Sequence, residues 1–181
     1  EACAAGTGSF LEERAEELGV CIKGEFAERA LRSTAPVRLG ERCTVFMERD
    51  VNAWQQRGAR TDDLLAGLAI SVATNYINRV VRGRKITGTV FFQGGTAYND
   101  AVAAAFAQIL GREIVVPPHN GVIGAIGAAL LAWERETAIH AGTRFRGWDL
   151  GVVDYRIREF TCRACENRCD IQEFTVEGEK T

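Results

Sequence analysis

The sequence predicts an α/β fold, a sheet with packed helices, followed by a cysteine-rich C-terminal extension. Residues 61–83 carry one continuous apolar stripe at helical spacing, which a sheet or another helix must cover. The segments "GTVFFQGG", "NDAVAAAFAQILG" and "EIVVPP" follow one another as strand, helix and strand, the pattern of a βαβ crossover with a parallel pair. The segment "CRACENRC" places three cysteines near the C-terminus. The chain of 181 residues can bury one substantial core, so we expect one main domain.

Helical signals dominate the N-terminal part of the chain. Apolar spacing predicts a helix over residues 9–18, with acidic side chains in its first half, and Gly19 ends it. "GEFAERALRS" predicts a second short helix, and "MERDVNAWQQRG" predicts a third that stops at Gly58. Between them, "VRLGERCTVF" is predicted to be extended because it is rich in β-branched and aromatic residues. The side chains predicted to face inward from the second helix are Phe26, Ala27, Ala30 and Leu31.

The longest predicted helix carries the apolar stripe. It begins at an N-cap on Thr61, with two acidic residues in its first turn, and stops at Gly83. The stripe comprises Leu64, Leu65, Leu68, Ala69, Val72, Ala73, Tyr76, Ile77, Val80 and Val81.

The remaining elements follow the predicted βαβ crossover. The crossover helix is capped by Asn99, and a last helix over residues 125–138 is rich in small residues. An alternating strand, "IQEFTVEG", comes after the cysteine-rich segment. The glycines spaced three apart, which more often mark close helix packing than a binding surface, are Gly121, Gly124 and Gly127.

Charge and hydropathy exclude two classes of partner. A net charge of -2 and a pI near 5.8, without an isolated basic face, argue against nucleic acid. We find neither an apolar run of the roughly 18 residues that span a bilayer nor a signal peptide. We therefore expect a cytoplasmic protein without a membrane partner. Because the chain begins at Glu1 rather than at Met, we also expect it to be a piece of a longer protein.

Two glycine-rich turns are candidate ligand sites. Gly94 and Gly95 follow a predicted strand and precede a helix, where a ligand can approach the backbone, but a tight turn alone would need them equally. Near the N-terminus, Gly6 and Gly8 open a helix whose N–H groups favour an anion. That anion is either a phosphate or the thiolate of Cys3, and the local sequence leaves both open.

The triplet Cys162, Cys165 and Cys169 is a candidate metal site. A CxxC turn brings two thiolates to one ion, and the third cysteine follows four residues later. Structural zinc takes four ligands, so we expect the fourth beyond Thr181; reduced free thiols are the alternative.

The other cysteines and the histidines carry no signal by themselves. Cys3 and Cys43 are far apart in sequence, and each could be a small buried apolar residue, as could Cys21. His119 and His140 are not part of a serine–histidine–acid pattern, so we expect no nucleophilic catalysis and predict no catalytic residue.

Four motifs in this order resemble one family: "CAAGTGSFLE", "RCTVF", "VFFQGGTAYNDAV" and "PPHNGVIGAIGAALLA". They resemble the ATP-dependent activators of 2-hydroxyacyl-CoA dehydratases and the related benzoyl-CoA reductase ATPase subunits. The resemblance implies that residues 1–141 form the second lobe of an actin/Hsp70/sugar-kinase-like (ribonuclease H-like) ATPase, the first lobe being absent. Residues 142–181 resemble the junction in large multidomain activase-like proteins, a Cys-rich linker or the start of a following domain.

The resemblance also implies cofactors. Cys3 and Cys43 match the family's ligands to a [4Fe–4S] cluster that is shared across a homodimer. Gly94 and Gly95 match the adenosine motif, with Asn99 at the start of the next helix, so ATP or ADP with Mg²⁺ is expected in the intact protein. A second metal, zinc or an iron–sulfur cluster, is possible at the C-terminal cysteine triplet.

The function implied by the resemblance is electron transfer driven by ATP. The intact protein would deliver one low-potential electron to a dehydratase or reductase, either a separate partner or a fused domain. This segment alone is expected to be inactive, because the phosphate loops of the family lie in the first lobe. Two alternatives remain: a phosphotransferase of the same superfamily with structural cysteines, and a zinc-bearing interaction module.

Overall fold

The computed structural model describes residues 7–40, 44–139, 148, 154–176 and 179–180. The chain divides into two compact units, Glu1–Leu131 and Ala132–Thr181. The predicted domain boundary at residue 141 stays a prediction.

The first two helices form where the sequence predicts them. Helix α1 spans Thr7–Glu17, and the chain leaves it through Gly19, whose φ of 66° is in the left-handed region that glycine tolerates. Helix α2 spans Glu25–Leu31 and buries Phe26 completely. The inward prediction for Leu31 is wrong: its side chain is 56% exposed, because it is the last residue of α2 and lies past the turn that faces the core.

Helix α3 begins earlier than predicted. It spans Thr44–Gln56, so residues 44–46 are helical rather than extended. Met47 and Val51, four residues apart, are both buried, and this packing outweighs the strand preference of the residues before them. The chain leaves the helix at Gly58, with a φ of 79°, as predicted.

Helix α4 spans Thr61–Tyr76 and continues as a π-helical turn over Ile77–Val81. Its N-cap is Arg60, whose backbone is extended, so the predicted cap at Thr61 is one residue late. Gly83, at φ 73°, follows the end of the helix as predicted. The predicted stripe residues that are buried are Leu64, Leu65, Leu68, Ala69, Val72 and Ala73.

The C-terminal part of the stripe is less buried than predicted. Tyr76, the last residue of the α-helical part, is exposed. Ile77, Val80 and Val81 are half-buried and lie in the π turn, which changes the helical period. By length and composition, Thr61–Val81 could cross a membrane, contrary to the expectation that no segment can. Half of its most apolar window is buried inside the protein, as is usual for the core helix of a globular unit.

The predicted parallel βαβ unit is present. Strand β1 is Val90–Phe91, strand β2 is Ile114–Val115, and the two pair in parallel. Helix α5, Asp100–Leu110, connects them, and its N-cap is Asn99 as predicted.

The pair of strands is shorter and more exposed than the buried sheet that the apolar sequence predicts. Phe91 is 62% exposed, whereas Phe92 packs on Phe106 of α5 with ring centroids 4.9 Å apart. Alternating side chains of a strand point to opposite faces, so α5 covers one face of β1 and leaves Phe91 on the other.

Helix α4 is at the centre of the first unit's core and contacts α1, α2, α3 and α5. This arrangement places the starts of α1 and α5 on one scaffold. The largest fully buried side chains are Phe26, Leu11, Met47, Leu64, Leu65, Leu68, Val51 and Val102.

The last helix, α6, spans Ile123–Ile139. The close-packing interpretation is wrong for Gly124 and Gly127, since a Cβ at either position would meet nothing within 4 Å. It holds for Gly121, where a Cβ would lie 2.8 Å from the hydroxyl of Tyr98. The exposed apolar side chains on and just before α6 include Val122, Ile126, Leu130, Leu131 and Trp133.

The second unit contains an antiparallel sheet of strands β3 (Tyr155–Thr161), β4 (Asp170–Val176) and β5 (Glu179–Lys180), in that order. Strand β4 confirms the predicted alternating strand. Strand β3 was not predicted, although its apolar Tyr155 and Ile157 alternate with charged residues.

Candidate functional site

A cleft in the first unit lies between the start of α1 and the turn after β1. Its volume is about 880 Å³, within the range of small-molecule sites. Three segments line it: the first turns of α1, the α1–α2 loop and the turn that leads into α5. The lining residues are Gly8, Ser9, Leu11, Glu12, Ile22, Lys23, Gly24, Gly95, Thr96, Tyr98 and Asn99.

Gly94 fixes the path of the chain into this cleft. Its φ of 101° and ψ of 177° define a conformation that essentially only glycine adopts. The Gly94 N–H donates to the backbone oxygen of Asn120 at 2.8 Å, and Asn120 Nδ2 donates to the Gly94 oxygen at 3.0 Å. Asn120 is buried, so the chain leaving β1 is held by the segment after β2.

Gly95 begins the 3-10 turn Gly95–Tyr98 and lies on the cleft wall. Among the residues that the structure describes, nothing lies within 4 Å of a Cβ at this position, so its backbone is open on the described side of the cleft. The two glycines therefore differ: Gly94 makes the turn, and Gly95 contributes open backbone to the cleft.

Asn99 has one satisfied and one free polar atom. Its Oδ1 accepts from the Ala101 N–H at 3.1 Å, which caps α5. Its Nδ2 is buried and has no hydrogen-bond partner among the residues that the structure describes. An unsatisfied buried donor costs about 1–3 kcal/mol. A small shift of the amide that exposes Nδ2 to an acceptor atom in the cleft would remove that cost.

The start of α1 forms the opposite wall of the cleft. Gly8 lies there, and a Cβ on it would be 3.8 Å from the Thr96 hydroxyl oxygen. Unpaired N–H groups near a helix start attract negative charge. Of the charged side chains that line the cleft, Lys23 is cationic and Glu12 is anionic, so an anionic ligand is favoured near Lys23 and the N-terminal end of α1 rather than throughout the cleft. Gly6 of the predicted turn lies outside the described residues.

The predicted cluster ligands Cys3 and Cys43 also lie outside the described residues. The described parts of helices α1 and α3 start at Thr7 and Thr44, which follow Cys3 and Cys43 in the sequence. The two helices are neighbours, because Arg14 of α1 forms an ion pair with Glu48 of α3 at 3.6 Å.

The predicted C-terminal ligands Cys162, Cys165 and Cys169 lie in the second unit, in the β3–β4 loop, as free thiols. Within the described ranges, no three histidine, cysteine or carboxylate side chains are arranged to hold a metal ion. This metal site stays a prediction. Cys21 is exposed, so its assignment as a buried residue is wrong; its N–H donates to Glu25.

Sequence reasoning missed several cleft residues. Asn120 follows β2, and the carboxyl ends of parallel strands meet at one edge of a sheet, so its closeness to Gly94 could have been predicted from the βαβ pattern. Thr96 and Tyr98 stand in the "GGTAYN" segment itself. No sequence motif marks Lys23 as a cleft residue, because only the packing of α1 and α2 brings the α1–α2 loop to the cleft.

Comparison with known proteins identifies a family and several relatives that this chain resembles. Residues 1–132 match the BadF/BadG/BcrA/BcrD ATPase family. The (R)-2-hydroxyglutaryl-CoA dehydratase activating ATPase of Acidaminococcus fermentans is 39% identical over 136 residues, which are 74% of this chain and 50% of that protein. The activator of lactoyl-CoA dehydratase of Anaerotignum propionicum is 36% identical over 132 residues, 73% of this chain and 50% of that protein.

A solved structure has the same fold. The activator of the 2-hydroxyisocaproyl-CoA dehydratase from Clostridium difficile, with bound ADPNP, superimposes with a TM-score of 0.66 at 29% identity. The alignment covers 79% of this chain and 53% of that one. The chain thus spans about half the length of the curated relatives that it matches. Because the family match covers far more than half of the chain, the chain belongs to the BadF/BadG/BcrA/BcrD ATPase family.

Proposed function

We propose that this chain is the nucleotide- and cluster-binding half of an ATP-dependent activator of a 2-hydroxyacyl-CoA dehydratase or a benzoyl-CoA reductase-like enzyme. ATP would bind with its adenosine against the turn Gly95–Tyr98, and a [4Fe–4S] cluster would bind at Cys3 and Cys43. The intact activator would pass one electron to its partner in an ATP-dependent step. The observation that carries the proposal is the cleft, with its open Gly95 backbone and its free buried amide on Asn99.

The cleft fits a nucleotide in three respects. Gly95 offers backbone that a flat group can approach without meeting a side chain. Asn99 lies on the cleft wall with its Oδ1 used by the helix cap, so its amide NH2, once turned toward the cleft, could donate to a ring nitrogen or a hydroxyl of the ligand. The N-terminal end of α1 and Lys23 favour the negative charge of phosphates, provided that the phosphates lie away from Glu12 of the same cleft. A solved relative with this fold is an activator with bound ADPNP, which supports the same ligand class.

The donor set fits an iron–sulfur cluster. A [4Fe–4S] cluster takes four cysteine thiolates, and Cys3 and Cys43 supply two per chain. Two copies of the chain would complete the set, which is why we propose a homodimer. When bound, the cluster supplies a one-electron redox centre of low potential. The helix starts that follow both cysteines would place partial positive charge toward the anionic ligands.

One helix start serves both ligands in this proposal. Gly8 lines the cleft, and Cys3 lies five residues before it. A nucleotide that contacts the first turn of α1 would therefore act on the segment that carries Cys3. This is a direct physical connection between nucleotide binding and the surroundings of the cluster.

Anaerobic reconstitution of the intact protein with iron and sulfide tests the proposal. We expect a broad visible absorption and bound iron, both lost in the Cys3→Ala/Cys43→Ala variant and retained in Cys21→Ala, the matched control at an exposed cysteine. Addition of ATP and Mg²⁺ should change the cluster spectrum of the wild-type protein. Iron retained in the double variant, with Cys162, Cys165 and Cys169 also substituted, would overturn the assignment.

A further inference from the structure

The loop between β3 and β4 brings two thiols side by side. Strand pairing aligns Thr161 with Asp170, and one step further Cys162 is opposite Cys169. The Cys162 N–H donates to the Cys169 oxygen at 2.7 Å, so the pairing extends to the two cysteines. Directly opposite residues of an antiparallel pair are on the same face, with Cβ atoms about 4.5–5.5 Å apart. Both thiols can therefore reach one small ion.

A third thiol lies in the same loop. Cys165 is at the end of a CxxC turn that begins at Cys162. Arg168 has a left-handed φ of 44°, and its N–H donates to the Cys165 oxygen at 3.4 Å, which turns the chain back toward Cys169. The three thiols are free, and none is fully buried. The spacing and the turn place every thiol of the triplet at one end of the hairpin.

The charge of the loop matches a thiolate-bound metal ion. Residues 163–168 contain two arginines and one glutamate, a net charge of +1. A divalent ion bound by three thiolates carries a net charge of −1. The loop therefore compensates the charge of such a complex.

The described strands of the hairpin bury little of their own side-chain surface. Every residue of β3 is exposed, and most residues of β4 are exposed as well. The side-chain contacts described across it are polar or at the surface, such as Thr161 with Asp170 and Gln172 with Glu159. Small isolated hairpins are marginally stable in water. A metal ion that binds the folded loop would stabilise it by its binding free energy.

We infer that Cys162, Cys165 and Cys169 bind one Zn²⁺ ion. Binding converts three thiols and Zn²⁺ into a zinc tris-thiolate and three released protons, without any change of oxidation state. The fourth position of the tetrahedron is filled by a ligand from outside this hairpin. In the described part of the chain, no three side chains are already arranged to hold a metal ion. Residues 163–168 must therefore close on the ion as it binds.

Metal analysis of the intact protein tests this inference. The measurement is made in the Cys3→Ala/Cys43→Ala background, so that iron at the proposed cluster site does not contribute and failure of one proposal leaves the other testable. We expect one equivalent of zinc per chain, lost on the triple change Cys162→Ser/Cys165→Ser/Cys169→Ser and kept in Cys21→Ser, a change at another exposed thiol. X-ray absorption should count three or more sulfur ligands at about 2.3 Å from the zinc.

A second measurement uses the three cysteines in their native form. Alkylation of each cysteine is followed by mass spectrometry with added Zn²⁺ and with a chelator. We expect Zn²⁺ to slow alkylation of the triplet and to leave Cys21 unaffected. Equal alkylation rates, zinc retained by the triple variant, a Cys162–Cys169 disulfide, or iron with acid-labile sulfide at the triplet would each overturn the inference.

Discussion

The helical core of the first unit and the β3–β4 hairpin of the second unit use their apolar side chains differently. In the first unit, Leu65 and Leu68 are completely buried in the centre of α4. In the hairpin, Ile157 is 49% exposed and Phe160 is 40% exposed. The first unit is therefore stabilised by burial of apolar side chains within the described chain. The described hairpin depends more on its backbone hydrogen bonds and on the metal ion inferred to bind its loop.

This difference shows where ligands act in the molecule. The cleft of the first unit is built on a packed scaffold, so its exposed residues, such as Lys23 and Gly95, can be changed one at a time without loss of the fold. The described hairpin has little apolar burial of this kind, and a bound ion would contribute directly to its folding free energy. The following predictions test this contrast, from the largest expected effect to the smallest.

Truncation of one apolar side chain in each unit gives the largest contrast. Leu65→Ala removes fully buried atoms and should lower the free energy of unfolding by about 2–5 kcal/mol. Ile157→Ala removes half-exposed atoms and should cost about 1 kcal/mol or less. Denaturant unfolding of the intact protein, followed by circular dichroism, measures both. Equal costs would contradict the contrast.

A methyl group added to α4 should also destabilise the first unit. The Cβ of Gly67→Ala would lie 2.5 Å from the Val37 oxygen. Val37 cannot move away easily, because its N–H donates to the Asp63 oxygen at 3.1 Å. We expect a cost of about 1–3 kcal/mol. The matched change Gly124→Ala, in open space on α6, should be neutral or stabilising by up to about 1 kcal/mol.

Loss of the Asn120 side chain should affect nucleotide binding in the cleft more than the stability of the fold. Asn120→Ala leaves the Gly94 oxygen without its 3.0 Å donor and should cost about 1–2 kcal/mol of stability. The turn into the cleft then loses its support, so the affinity for MgADP should fall as well. Asn52→Ala, an exposed change on α3, is the control for both measurements. Unchanged nucleotide affinity in Asn120→Ala would contradict a positioning role.

The smallest effect concerns the ion pair between α2 and α4. Arg29 Nε donates to Asp62 Oδ1 at 2.9 Å, which lowers the pKa of Asp62 and raises that of Arg29. A lowered carboxyl pKa stabilises the fold above the unfolded value of about 3.9, and this contribution is lost as the pH falls through the lowered pKa. Asp62→Asn should lower Tm slightly at neutral pH, and less below pH 3. Glu16→Gln, which removes an exposed acid of α1, is the control for the loss of one negative charge.

The sequence predicts those parts of the fold that depend on local patterns. The cap at Asn99, the buried stripe from Leu64 to Ala73 and the parallel pair of strands follow from side-chain spacing alone, and all are confirmed. The helical start of α3 could not be predicted, because residues 44–46 prefer strands locally and become helical through packing of the residues behind them. The π turn after Tyr76 likewise has no local sequence signal.

The candidate site is predicted in part. Gly95 and Asn99, two of the three residues predicted to bind a cofactor, line the cleft, whereas Gly94 makes the turn beside it; cofactor binding by all three stays a prediction. Lys23 and the start of α1 reach the same cleft only through helix packing, which no short motif encodes. The free amide of Asn99 could not be foreseen either, since it depends on what surrounds a capped helix start.

Nucleotide binding by a Gly95→Val variant tests the central claim most directly. A Cβ at Gly95 meets no described protein atom within 4 Å, so we expect the valine to leave the fold intact and to occupy the space proposed for the adenosine. We predict that the affinity of the intact protein for MgADP falls at least about tenfold, or about 1.4 kcal/mol, by isothermal titration calorimetry. Gly124→Val, equally open but remote from the cleft, should bind as the wild type does. Wild-type affinity in a folded Gly95→Val protein would contradict the account.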